Sequence, residues 1–240
     1  MATYCYSQIN VIEYSSPFKS LEIISYPSKR LSFLIKRIID FCGALLALIL
    51  LFPVFVFIII LIKSNSKGPV FFKQKRVGYK GAIFTFLKFR TMYPDCDDKI
   101  HREYVVKLIN GNIKETNLGK NRPLFKLTCD HRVTRVGKFL RSWSLDELPQ
   151  LINVLKGEMS LVGPRPAIPY EVENYSAWHL QRLDTMPGIT GLWQVKGRSR
   201  TTFDEMVRLD IQYIKKWSLL LDFKILIRTL PAVFSREGAL

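Results

Sequence analysis

Two adjacent carboxylates, Asp146 and Glu147, are the residues of this chain whose types and spacing best suit chemistry. Ser144 stands three residues before Glu147, which is the spacing of a capping box at a helix N-terminus. Apolar residues then recur at helical intervals until Gly157, so the pattern predicts a helix that begins at the acid pair. The N-terminal end of a helix stabilises an ionised aspartate and attracts phosphate groups.

Arginines lie on both sides of this acid pair. Arg141 precedes it, and Arg165 follows in the segment Gly163–Pro166, where two prolines restrict the backbone. The guanidinium fork matches two oxygens of a phosphate group. An acid pair beside fixed arginines is what phosphoryl chemistry requires. The alternative is structural, with Glu147 capping the helix and Arg165 pairing with it.

The composition indicates an anionic binding partner. The 240-residue chain has a net charge of +16, and no Asp or Glu occurs between Asp40 and Asp95, where Lys and Arg are frequent. Nucleic acid, an acidic membrane surface or phosphorylated substrates would each satisfy such a block. Four scattered cysteines without a CxxC pair argue against a zinc site and a disulfide framework.

A long apolar segment predicts contact with a membrane. The stretch Phe41–Ile62 has no charge and would measure roughly 33 Å as a straight helix, enough to cross a bilayer. Pro53 would bend that helix, and basic residues on both flanks favour the cytoplasmic side for each end. We therefore expect a re-entrant membrane helix rather than a full crossing. The expected division is a tail (1–30), an anchor (31–63) and a cytosolic domain (64–240).

A β-hairpin is predicted next. Its strands are Val70–Val77 and Ala82–Arg90, joined by a glycine-containing turn. On an extended strand Lys88 and Arg90 share one face, where they would either contact a phosphate or form a solvated edge. Helices are expected at Lys99–Leu108 and Tyr170–Leu183. The fold class is therefore α/β and mainly helical, with a small hairpin and surface amphipathic helices.

Two further stretches hold candidate site residues. In the turn Pro187–Gly191, glycines would let the backbone approach a ligand, and Trp193 could stack on a base; an ordinary turn is the alternative. The pattern at Phe203–Trp217 predicts a helix with Asp210 on its apolar stripe, where a salt bridge or a functional role would explain the acid.

The last apolar stretch, Leu219–Phe234, suits a helix that lies on a membrane surface or one that is packed in the core.

Three motifs in this chain resemble the bacterial sugar transferase family, the monotopic polyprenyl-phosphate phosphoglycosyl transferases. They are KFRTM (88–92), SLDELPQLINVLKGEMSLVGPRP (144–166) and PGITGLWQVKGRS (187–199), and the resemblance covers about Leu31–Phe234. It implies transfer of a sugar-1-phosphate from a UDP-sugar to undecaprenyl phosphate with release of UMP, the first step of capsule, exopolysaccharide or other glycan synthesis. The competing function is a membrane-anchored basic module that binds anionic lipid or nucleic acid without catalysis.

The resemblance also implies roles for single residues. Asp146 matches the nucleophile that forms a covalent aspartyl-phosphosugar and contacts the metal, and Glu147 matches the second acid. The phosphate contacts implied by the family and by the hairpin face are Lys88, Arg90, Arg141 and Arg165. The residues implied to bind the nucleotide-sugar are Gly188, Thr190, Gly191, Trp193 and Arg198.

The same resemblance implies the partners. Magnesium (Mg2+) is expected on the diphosphate, with a UDP-sugar donor, undecaprenyl phosphate acceptor, membrane lipid and downstream glycosyltransferases as partners; nucleic acid is not expected. The protein would lie at the bacterial inner membrane, with its catalytic domain on the cytoplasmic face. Related anchors often bend at Ser-Pro, whereas Phe52 precedes Pro53 here.

Overall fold

The computed structural model describes residues 30–94, 99–109, 118–119, 122–123, 132–197 and 201–234. The described chain is mainly helical, as predicted, with three pairs of short strands. Its helices are α1 (Arg30–Leu50), α2 (Phe52–Asn65), α3 (Lys99–Ile109), α4 (Arg135–Ser142), α5 (Gln150–Lys156), α6 (Pro169–Val172), α7 (Leu192–Lys196), α8 (Phe203–Lys216) and α9 (Leu219–Phe234). Its strands are β1 (Phe71–Val77), β2 (Ile83–Phe89), β3 (Leu118–Gly119), β4 (Arg122–Pro123), β5 (Ser160–Val162) and β6 (Gly188–Thr190).

The long apolar segment forms two helices with a sharp bend between them. The chain axis bends by 62° between α1 and α2. Pro53 lies in the first turn of α2, where its missing N–H breaks no helical hydrogen bond. No single helix in the described ranges is long and apolar enough to span a membrane, but this bent pair meets the length and composition requirement together. The break predicted at Pro53 is therefore present.

The predicted hairpin is confirmed and forms one wall of the core. Strands β1 and β2 pair antiparallel, from Phe71 opposite Phe89 to Val77 opposite Ile83. The other wall is α5, together with part of α1, and the two walls enclose a buried apolar cluster. That cluster consists of Ala44, Phe84, Phe86, Leu151, Val154 and Met159. Because β2 packs on α5, the strand that carries Lys88 lies beside the chain segment that carries the acid pair.

Buried polar contacts join α1 to the rest of the protein. Lys36 Nζ lies 2.7 Å from Asp222 Oδ2 in α9, and Asp40 accepts a hydrogen bond from the amide of Leu161. The Arg37 guanidinium donates to two carbonyl groups in the last turn of α5. These three charged side chains of α1 thus find their partners within the protein. These contacts fix the N-terminal half of the bent helix pair to the core.

The later helices differ from the expectation at one place. The predicted helix Tyr170–Leu183 is wrong, because the chain forms only the short α6 and then a 3-10 helix at His179–Leu183. Helices α3 and α8 are confirmed, and Thr202 caps α8 in a capping box with Glu205. Helix α9 exposes one apolar face while Ile225 is buried, which is the arrangement of an amphipathic surface helix.

Candidate active site

The acid pair lies on a tight turn between α4 and α5, and the predicted capping box is wrong. Residues Leu145–Glu147 form one turn of 3-10 helix, and Ser144 has a left-handed backbone (φ 55°) without a side-chain cap. An α-helix starting there would need the N–H of Pro149 to bond to Leu145, and proline has no N–H. The α-helical ladder therefore begins only at Gln150, while Gly157 ends it in the left-handed conformation as expected.

Lys88 reaches both carboxylates from β2. Its Nζ lies 2.8 Å from Glu147 Oε1 and 3.4 Å from Asp146 Oδ2, and its charge also lies 5.7 Å from the centre of the Phe86 ring. Arg165 approaches from the proline loop, with Nη1 at 3.0 Å from the same Glu147 oxygen. The site thus brings together four of the predicted residues, from β2, the 3-10 turn and the loop after β5.

The two acids have different electrostatic environments. Burial alone would raise the pKa of Glu147, but the charges of Arg165 and Lys88 outweigh it and hold that pKa well below its usual range. Within the described chain, Lys88 is the only ion-pair or hydrogen-bond partner of the Asp146 carboxylate, at the longer distance of 3.4 Å. Glu147 is therefore committed to positioning two cations, whereas the buried Asp146 is the carboxylate with fewer protein contacts.

The two other predicted phosphate ligands have different surroundings. Arg141, in the last turn of α4, donates from Nε to Thr91 Oγ1 at 2.9 Å. Arg90 is buried and donates to the backbone of Ser66 and Lys67, in the loop that follows α2. These hydrogen bonds give Arg90 a structural role at the end of the bent helix pair, and phosphate binding by Arg90 stays a prediction.

The glycine-rich segment packs against protein backbone. A Cβ on Gly188 would lie 2.0 Å from the amide nitrogen of Gly163, and a Cβ on Gly191 would lie 2.3 Å from the Gly163 oxygen. Close strand-to-loop packing therefore explains both glycines without a ligand. Thr190 Oγ1 pairs with a threonine of α9, Trp193 Nε1 donates to Thr201 Oγ1, and Arg198 lies outside the described residues. Nucleotide binding by this segment stays a prediction.

The salt-bridge explanation for Asp210 is confirmed. Its carboxylate lies 2.7 Å from Arg182 Nη2, both side chains are almost fully buried, and burial raises the pKa of Asp210 to about 6. Arg182 is not among the residues that the sequence patterns indicate, and neither is Arg76, a second buried arginine beside the proline loop. In a chain with 36 basic residues, neither position stands out by spacing or by a motif.

The residues present fit a magnesium ion held mainly by its substrate. Among the residues that the structure describes, no group of three or more His, Cys, Asp or Glu side chains converges on one point. Magnesium in phosphoryl-transfer sites commonly uses one or two carboxylates together with substrate phosphates and water. Asp146, with a single long contact to Lys88, could supply one such oxygen.

This chain matches a family model and several known proteins over most of its length. The family model described as bacterial sugar transferase matches residues 31–236. The chain is 44% identical over 226 residues to galactosyl transferase CpsE of Streptococcus agalactiae, covering 92% of this chain and 48% of that protein. It is 42% identical over 204 residues to the exopolysaccharide production protein ExoY of Rhizobium meliloti, covering 85% and 87%.

A third relative has a more specific name. The chain is 40% identical over 212 residues to the UDP-glucose:undecaprenyl-phosphate glucose-1-phosphate transferase of Caulobacter vibrioides, covering 85% of this chain and 71% of that protein. The chain thus spans about half the length of CpsE but most of the length of the other two. Since the family model covers most of its length, this chain belongs to the bacterial sugar transferase family.

Proposed function

We propose that this protein transfers a sugar-1-phosphate from a UDP-sugar to undecaprenyl phosphate through a covalent intermediate on Asp146. The observation that carries the proposal is the acid pair held between Lys88 and Arg165, with Glu147 bound to both cations. Relatives whose names include undecaprenyl-phosphate sugar transfer support the choice of substrates. A basic module that only binds anionic lipid or nucleic acid would not need buried carboxylates fixed in this way.

The chemistry divides into two displacements at one phosphorus atom. An Asp146 carboxylate oxygen attacks the sugar-bearing phosphorus of the UDP-sugar, the bond between the two phosphates breaks, and UMP leaves. A phosphate oxygen of undecaprenyl phosphate then attacks the same phosphorus, which releases the Asp146 carboxylate and forms a sugar diphospholipid. Two steps let a soluble donor and a membrane-bound acceptor use one site in turn.

The side chains around Asp146 have defined tasks in this proposal. Lys88 and Arg165 offer donors to the phosphoryl oxygens, whose charge they compensate in a partly buried setting. Glu147 keeps both cations oriented and stays ionised, because its pKa is held low. Asp146 would supply the protein oxygen that holds a magnesium ion bound with the diphosphate, and such an ion would neutralise further charge there.

We further propose that α1 and α2 form a re-entrant anchor in the bacterial inner membrane, with the catalytic part on the cytoplasmic face. The 62° bend, the exposed apolar surface of α1 and the apolar face of α9 support this arrangement. Single cysteines at Ser32 and Ser64, in a chain without other cysteines, can be labelled with a membrane-impermeant thiol reagent. Labelling of both should require permeabilised cells, and labelling of Ser32→Cys from outside would contradict a re-entrant anchor.

The catalytic proposal is tested by trapping the intermediate. Purified protein in nanodiscs is incubated with a panel of UDP-sugars without acceptor, and its intact mass and the released UMP are measured. The wild type should gain one sugar-phosphate and release an equal amount of UMP. Asp146→Asn should do neither, with turnover reduced by at least about 10⁴-fold.

The matched control for this experiment is Asp204→Asn. Asp204 is half exposed at the start of α8, and the same chemical change there should leave adduct formation intact. An Asp146→Asn protein that still releases more than about 1% of the wild-type UMP would refute the assignment of the nucleophile.

A further inference from the structure

The loop that presents Arg165 has little backbone capacity to hold itself in place. Pro164 and Pro166, on either side of Arg165, have no N–H groups, so this part of the backbone can be fixed mainly through its carbonyl oxygens. The position of the Arg165 guanidinium, 3.0 Å from Glu147, depends on this loop. The partners of those carbonyl groups therefore determine the geometry of the site.

Four successive carbonyl groups of the loop each accept a hydrogen bond from another part of the fold. The pairs are Pro164 O with Gly188 N (2.8 Å), Arg165 O with Arg182 Nη2 (3.2 Å), Pro166 O with Arg76 Nη1 (2.9 Å) and Ala167 O with Val77 N (2.8 Å). The two outer bonds come from backbone amides of β6 and of the end of β1. The two inner bonds, at Arg165 and Pro166, come from arginine side chains.

Arg76 is buried, and its guanidinium donates to the carbonyl group of Pro166. Its side chain extends from β1, and its guanidinium lies 5.1 Å from the centre of the Phe86 ring, the ring that also contacts Lys88. Within the described residues it has no carboxylate at ion-pair distance, and its buried Nε has no hydrogen-bond partner. Burial lowers its pKa to about 10, so the guanidinium is still charged at neutral pH.

Arg182 is held even more firmly. It is 3% exposed, and its guanidinium donates to Asp210 at 2.7 Å and to the phenol oxygen of Tyr175 at 2.8 Å, besides the carbonyl group of Arg165. Burying such an ion pair is costly, and the same packing could be achieved with apolar side chains. Packing alone therefore does not explain a charged pair here, whereas the hydrogen bond from Arg182 to the carbonyl group of Arg165 does.

We propose that Arg76 and Arg182 are positioning residues that clamp the proline loop through its carbonyl groups and so hold Arg165 against Glu147. A lysine at either position would keep the charge, but its single ammonium on a different stem could not reproduce the planar set of donors. The kinetic part of this inference rests on the proposed transferase function. Its structural part does not, and the two are tested separately.

The structural test is hydrogen–deuterium exchange of the full chain in nanodiscs. Arg76→Lys and Arg182→Lys should each accelerate exchange in the segment 163–168 by about tenfold or more. The segment is followed in peptides that begin at least two residues earlier, so that the hydrogen-bonded amides of Gly163 and Ile168 are both observed. The matched control is Arg37→Lys, which removes the same kind of guanidinium-to-carbonyl bonds at the end of α5. It should accelerate exchange near residue 155 and leave 163–168 unchanged.

The result that would overturn the clamp is unchanged exchange of 163–168 in both arginine variants, or equal acceleration in the Arg37→Lys control. Tyr175→Phe provides a milder change that keeps the fold. It removes one bond of Arg182 but not the bond to the loop, so it should accelerate exchange at 163–168 by less than Arg182→Lys does.

The kinetic test is a double-mutant cycle. Arg182→Lys should lower kcat/KM by about tenfold in the wild-type background, yet by less than about twofold when Arg165 is already replaced by glutamine. Independent losses that multiply in the double variant would show that Arg182 does not act through Arg165. If no variant and no wild type turns over any UDP-sugar, the transferase proposal fails, while the exchange experiment still decides whether the clamp exists.

Discussion

Replacing Lys88 with glutamine tests whether one cation organises the two carboxylates. The ammonium group of Lys88 lies 2.8 Å from Glu147 and 3.4 Å from Asp146, and its side chain is 17% exposed. Glutamine keeps a hydrogen-bond donor on a side chain that is one bond shorter, and it removes the charge. The substitution therefore removes the electrostatic contribution of Lys88 while it keeps most of the packing against the hairpin.

The expected magnitude follows from the two contacts. A hydrogen bond to a charged group contributes about 1.5–3 kcal/mol, and the 3.4 Å contact is at the weak end of that range. Together with the loss of a donor to the phosphoryl group, we expect a loss of about 3 kcal/mol, which is roughly 100-fold in kcat/KM. Lys88→Arg keeps the charge and should lose about tenfold or less, because the guanidinium has a different shape.

The assay is UMP release from the UDP-sugar that the wild type prefers, at equal amounts of membrane-bound protein. Lys75→Gln is the matched control, since Lys75 lies on the partner strand of the same hairpin, is exposed, and donates a hydrogen bond from its ammonium group to Thr85. It should stay within about twofold of the wild type, as surface substitutions usually do. A Lys88→Gln protein that retains a fifth or more of wild-type kcat/KM would refute the reasoning.

Three further predictions concern stability. The fold lowers the pKa of Glu147, so its ionised carboxylate stabilises the protein fully above its usual pKa of 4.5. This stability is lost as the pH falls from 4.5 toward the lowered pKa. The difference in Tm between wild type and Glu147→Gln should therefore shrink below pH 4.5. A difference that grows on acidification would contradict this sign. Gly188→Ala should cost about 2 kcal/mol or more in chemical unfolding, because its Cβ would collide with Gly163; unchanged stability with weaker nucleotide binding would instead favour a ligand role. Lys36→Met should cost about 3 kcal/mol by leaving the buried Asp222 carboxylate with hydrogen bonds from Tyr213 and Trp217 but without its cation, and a neutral effect would show that α1 is not fixed by this pair.

The amino-acid sequence alone determined the features that depend on neighbouring residues. Alternating residues and a glycine turn defined the hairpin, Gly157 ended α5, and Pro53 produced the break in the apolar segment. Each depends on local backbone chemistry, which a short window of sequence contains. The order and content of the three motifs likewise sufficed to indicate the family before any contact was known.

Tertiary structure alone decided which charged groups meet. Lys88 and Glu147 are 59 positions apart in the sequence. The strand pattern predicted the same face for Lys88 and Arg90. In the structure, however, Arg90 donates to the loop after α2, whereas Lys88 contacts the two carboxylates. Arg76 and Arg182 carry no signal in their own neighbourhoods, because the carbonyl groups they bind belong to a distant loop. Periodicity fixes the direction of a side chain, whereas its partner is fixed only when separate elements pack together.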